Sequence, residues 1–211
     1  MKIVKTYTYE LSEKTLEKDI DKFVREAKKG AYQFDYKYGQ EGLKIIKAYF
    51  RIIEDEFKKQ NYAVARICYK KMMFLLLQCE YNYFDYEDIV GKLNFGKFLN
   101  NYFICLIKLC STEELFREYI DYLKIKEEYH FDSVHKTLFA NLSEDGLKHF
   151  TILVEKEAGN VKEKDYALYD LIYFLLDLAK FRKDGNTYDQ LCEKHEKLVG
   201  DEQKEAFDEN D

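Results

Sequence analysis

The sequence predicts an all-α protein of about nine antiparallel helices, arranged as an α-solenoid or an irregular helical bundle. Three observations lead there. Apolar residues recur at three- and four-residue intervals along nearly the whole chain, as helices with one buried face require. Pro is absent from all 211 residues, where average usage would supply about ten, and helix interiors exclude it. The connections between periodic segments are short, which sets successive helices antiparallel.

The first helical segment carries the stripe Leu16, Ile20, Phe23, Val24, Ala27, with Ser12 as the expected N-cap and Gly30 as the stop. The second repeats Leu43, Ile46, Phe50, Ile53, Phe57 over about 41–60. The third, about 62–80, is apolar around most of its circumference (Ala65, Cys68, Tyr69, Met72, Met73, Leu75, Leu76, Cys79), the mark of a central helix. The fourth, about 87–110, is interrupted by Gly91 and Gly96. The fifth opens on Ser111-Thr112-Glu113-Glu114, a capping box in which Ser and the Glu three residues on satisfy each other's amides. A sixth is expected from near Asp132, a seventh from Ser143, an eighth over about 163–182 and a ninth from Asn186 or Thr187.

Two stretches differ. Residues 2–11 mix β-branched and aromatic side chains, which suits an extended arm or strand, and Tyr32, Phe34, Tyr36, Tyr38 alternate strictly. Together they could pair as a small N-terminal β-hairpin. The expected organisation is a single helical domain over 1–199, with 1–11 as an arm and 200–211 as an acidic tail.

Within that frame a resemblance emerges. Asp85–Cys110, with an acidic pair and Gly91 before a long helix, resembles the helical region that often follows SWIM zinc fingers. Leu115–Glu155 and the closing DLAKFRKDGNTYDQLCEKHEKL are broadly similar, so the likeness covers about 41–199. It implies degenerate helical repeats of a tetratricopeptide-like kind. The tetratricopeptide Trp and Pro positions are empty, no fixed period is visible, and the SWIM ligands CxC…CxH are missing, so no zinc or nucleic-acid role is implied.

Charge and cysteine content bound the function. Of the net charge of −6, the tail contributes −5 through Asp201, Glu202, Glu205, Asp208, Glu209 and Asp211 against Lys204. The near-neutral remainder lacks the basic balance of a nucleic-acid binder, although a local basic face stays open. Lys outnumbers Arg 29 to 5, a bias that an AT-rich genome would produce. The five cysteines are odd in number and without CxxC spacing, which points to a reducing compartment, and the chain reads as cytoplasmic. The N-terminus has no signal-peptide core and no apolar run reaches membrane-spanning length.

No motif announces chemistry. His130, His135, His149 and His195 read as scattered surface histidines without HExxH spacing. No Arg is followed four to six residues later by His, which argues against the HEPN class of RNases. Phosphate-cradling and nucleophile-elbow motifs are missing. Asp19 and Asp21, two apart on a helix, point away from each other. Cys110, before a capping Ser, reads as a structural thiol with an activated one as the alternative. Catalytic, metal and cofactor residues are therefore expected to be none.

The aromatic clusters remain. Tyr32, Phe34, Tyr36, Tyr38 and Tyr81, Tyr83, Tyr86 lie between helices, where polar turn residues are usual. They are either a recognition surface or plugs folded back between helices. The leading expectation is a non-enzymatic scaffold that binds another protein or protein complex through these residues. The alternatives are a mobile-element inhibitor that blocks a nucleoprotein complex by acidic mimicry, and a nuclease or hydrolase with an unfamiliar site.

Overall fold

The structure, a computed structural model, describes residues 15–32, 41–78, 83–84, 89–126, 133–162 and 165–199. Among the described residues there are nine α-helices: α1 Leu16–Lys28, α2 Glu41–Lys58, α3 Tyr62–Leu77, α4 Phe95–Leu109, α5 Thr112–Lys126, α6 Ser133–Asn141, α7 Glu144–Ala158, α8 Asp170–Arg182 and α9 Gly185–Lys194. Short 3-10 turns at Val90–Lys92 and Tyr166–Leu168 precede α4 and α8. The fold is all-α. The hairpin expected from residues 2–11 and 32–38 falls almost wholly outside the described residues, and Tyr32 forms an isolated parallel bridge with Phe84.

Local chemistry sets the helix ends. Thr15, not Ser12, caps α1: its hydroxyl accepts from the Lys18 amide at 3.4 Å, while Ser12 lies outside the described residues. Gly30 follows the C-cap at φ 81°, a backbone conformation only glycine takes without strain. The capping box at Ser111 closes both ways. Its hydroxyl accepts from the Glu114 amide at 3.3 Å, and its own amide donates to the Glu114 carboxylate at 3.1 Å. Ser143 caps α7 as expected. Asp184 caps α9 two to three residues before the expected start, because its carboxylate accepts from both the amide and the hydroxyl of Thr187.

The chain divides into two compact units, Met1–Cys105 and Leu106–Asp211. In the first, α3 packs against both α1 and α2 and is buried around most of its surface, as a central helix should be. Phe50 on α2 stacks on Phe98 of α4 with ring centroids 4.1 Å apart and planes 2° from parallel. Two buried polar pairs sit inside it: the Tyr49 hydroxyl donates to Asp19 at 2.8 Å, and the Asn101 amide donates to the Tyr69 hydroxyl at 3.0 Å. Asp21 faces elsewhere, 2.6 Å from Lys71.

In the second unit α5 packs on α7, α6 on α8, and α8 on both α7 and α9. The core centres on Phe174, whose ring lies 5.2–6.2 Å from those of Phe139, Phe150, His135 and Tyr119.

Candidate protein-binding face

Helix α8, DLIYFLLDLAKFR, is apolar over most of its circumference. Leu171, Ile172, Phe174, Leu175, Leu176, Leu178 and Ala179 are all buried. Of its remaining positions, Asp170, Tyr173, Asp177 and Lys180 fall at intervals of three, four and three, so they share one stripe, and Phe181 and Arg182 at the end are exposed. Phe181 flanks that stripe, and Tyr166 and Tyr169 precede it. Tyr166 is 74% exposed and its ring lies 5.5 Å from that of Tyr169. Phe181 is 61% exposed, with one side against Phe139 at 5.3 Å. Ile67, Leu109 and Ile152 are also exposed, each on a different helix, and single exposed apolar residues are ordinary. Tyr166 stands in the turn before α8 and Phe181 near the end of the helix.

Both carboxylates of the stripe are held from beneath. The Lys126 ammonium, on a fully buried side chain of α5, sits 2.5 Å from Asp170. His135 of α6 sits 2.6 Å from Asp177 through Nδ1, and its Nε2 is 2.8 Å from the Tyr119 hydroxyl. A neutral ring protonated on Nδ1 satisfies the whole chain: the Tyr119 O–H donates to Nε2 and Nδ1–H donates to the carboxylate. The order Tyr–His–Asp is that of a nucleophile, a base and an orienting acid. Accessibility reverses the roles. Tyr119 is sealed at 0% exposure, and burial, with Asp170, Tyr122 and Asp177 adding to it, pushes its phenol well above the ordinary value. The end that meets solvent is Asp177. The network therefore fixes a surface carboxylate and does not present a hydroxyl to a substrate. Burial and then the Asp170 charge raise the Tyr173 phenol as well, which keeps it a neutral donor.

Two histidines overturn the surface reading of that residue type. His135 and His195 are buried; His149 is exposed, 3.4 Å from Glu113; His130 lies outside the described residues. His195 Nε2 has no hydrogen-bond partner and lines a trough of about 990 Å³ between the ends of α7 and α9. Lys162, Lys194 and Lys197 there are matched by Asp165, Glu193 and Glu196, so its rim has no net charge to select a ligand.

The described cysteines, Cys79 lying outside them, behave as small apolar residues. Burial pushes the Cys68 and Cys105 thiols up to about 12, Cys192 is buried and Cys110 is half-buried. Among the described residues no group of three or more His, Cys, Asp or Glu could hold a metal ion, and no helix is long and apolar enough to cross a membrane.

Of the aromatic residues that the sequence singles out, Tyr32 packs its ring 5.0 Å from Phe23 and 5.9 Å from Phe84, with its hydroxyl donating to Glu26 at 3.2 Å. Tyr83 is half-buried beside the buried Phe84. Phe34, Tyr36, Tyr38, Tyr81 and Tyr86 lie outside the described residues. Sequence reasoning misses the α8 face because Tyr166, Tyr169 and Phe181 fit the apolar stripe of that segment. The signal that could find it is the spacing of Asp170, Tyr173, Asp177 and Lys180, which marks the side of α8 that does not enter the core.

No protein-family model, no curated protein and no solved structure matches the chain.

Proposed function

We propose that this chain is a non-enzymatic binding module that holds another protein through the exposed face of α8. The observation that supports the reading is the exposure of Tyr166, in the turn before α8, and of Phe181, near its end, at 74% and 61%, beside a helix whose Leu, Ile and Ala residues are all buried. Tyr and Phe bring large contact area at low entropic cost and are enriched in interface cores. Asp170 and Asp177, braced by Lys126 and His135, add polar contacts whose geometry is set before a partner arrives.

A photo-cross-linking residue in place of Phe181, in the full chain expressed in its host, tests this reading. It is expected to capture a protein in a manner abolished by Tyr166→Ala. Equal capture from Ile67 on α3, or capture indifferent to Tyr166→Ala, would overturn it. The mimicry alternative makes the opposite demand on residues 200–211: their deletion would abolish partner capture there, whereas the α8 reading leaves it intact.

A further inference from the structure

The net charge of the chain conceals a division that follows the two units. Residues 1–105 hold 19 Lys and Arg against 15 Asp and Glu, a net +4, whereas residues 106–211 hold 15 against 25, a net −10. Exposure sharpens the contrast. Among the described residues of the first unit ten Lys and Arg are exposed and one acidic residue, Asp55. In the second unit the exposed cations and acids number eleven and ten.

Helix α1 shows how the imbalance arises. Its acids face inward or are engaged. Asp19 is buried and accepts from the Tyr49 hydroxyl, Asp21 lies 2.6 Å from Lys71, and Glu26 accepts from the Tyr32 hydroxyl. Every exposed residue within the helix is a cation: Lys18, Arg25 and Lys28. Lys18, Lys22, Arg25 and the C-cap Lys29 fall at intervals of four, three and four. They therefore form one stripe about 16 Å long, on which no acidic residue falls.

The surroundings of the stripe narrow its partner. The apolar residues of α1, Leu16, Ile20, Phe23 and Ala27, are spent in the core, so the helix has no face to insert into a lipid surface. No aromatic residue is exposed among the described residues of this unit. Neither the aromatic anchors of a protein interface nor a stacking platform for unpaired bases stands beside the cations. What the stripe offers is positive charge along a helix, which suits a partner that is itself a regular array of negative charge. We infer that α1 lies along the phosphate backbone of a nucleic-acid duplex and holds it without reading base sequence. Contacts to phosphate fix position and carry no sequence information. The inference stands apart from the α8 reading, since it concerns the other unit and a different partner.

Fluorescence anisotropy of short labelled duplexes with the full chain tests the inference. A DNA and an RNA duplex of the same mixed sequence form the two arms, and the tighter one names the natural backbone. Binding is expected to weaken about a hundredfold between about 50 and 200 mM salt, as roughly four phosphate contacts require. Scrambling the base sequence should leave the affinity unchanged. The triple variant Lys18→Gln, Arg25→Gln, Lys29→Gln should unfold as the parent does, bind at least tenfold more weakly and lower the salt slope by about three. The triple variant Lys136→Gln, Lys148→Gln, Lys156→Gln, at exposed positions of the second unit, should bind as the parent does. No binding at low salt, or equal losses from the two triple variants, would overturn the inference. Tighter binding of a single strand than of either duplex would contradict the duplex. Binding of anionic vesicles but of no duplex, lost in the α1 variant, would replace the nucleic acid by a membrane surface.

Discussion

The two units treat their aromatic side chains in opposite ways. In the first, Phe23, Tyr32 and Phe84 turn inward and stack on one another at 5.0–6.0 Å. Gly42 makes this possible: a Cβ there would lie 3.1 Å from the Phe84 ring, so only glycine leaves the ring its seat without a shift. In the second unit Tyr166 and Phe181 stand exposed, while Phe139 and Phe150 pack on Phe174 in the core. An aromatic residue goes where volume remains for it, and its identity alone does not say which side that is. The polar groups follow the same contrast. Asp19 is sealed inside with Tyr49, whereas the chain Tyr119–His135 leads out to Asp177 at the surface.

The largest effect should separate the two environments directly. Phe50→Ala removes a ring stacked on Phe98 in the first core and should cost about 3–5 kcal/mol, read from urea unfolding. Phe181→Ala removes the same ring from the α8 face and should stay within about 0.5 kcal/mol. Comparable losses would erase the distinction between core and face.

The brace beneath α8 comes next. Asp170→Ala removes the carboxylate paired with the buried Lys126 ammonium and should cost about 3 kcal/mol. Lys126→Met combined with Asp170→Leu removes both charges and should recover most of that loss. A double variant as unstable as the single one would show that the pair does not act as a pair. Smaller still, Ser111→Ala breaks the capping box of α5 and should lower stability by about 1 kcal/mol.

The trough at His195 supplies the pH test. Burial, and then the charge of Lys194, hold this imidazole below its ordinary value of 6.5. As pH falls the unfolded chain therefore takes the proton first. The stability contributed by the neutral ring is complete above 6.5 and is lost as pH drops through the folded value. His195→Gln should flatten the unfolding midpoint between pH 7.5 and 5 relative to the parent chain. An equal or steeper fall in the variant would place the acid sensitivity elsewhere.

Much of this fold is legible in the order of the amino acids. The Ser111 capping box, the Ser143 cap, the Gly30 stop and the central α3 follow from local spacing, and local rules suffice for them. The boundaries at Thr15 and Asp184 differ from the expected ones by two or three residues, a span in which several polar side chains compete for the same cap. The candidate face is less legible. Tyr32 and Tyr166 look alike in sequence, each beside a helix and among other aromatics. Only the packing of Phe23 and Phe84 against the one, and the 74% exposure of the other, tell them apart. His135 and Asp177 are 42 residues apart, and no helical periodicity brings them together.

That the α8 face serves binding and is dispensable for folding is tested most directly by Tyr166→Ala in the full chain that carries the cross-linking residue at position 181. The expected result is a chain with unchanged unfolding that no longer captures the protein held by the parent. Undiminished capture, or a marked loss of stability, would contradict it.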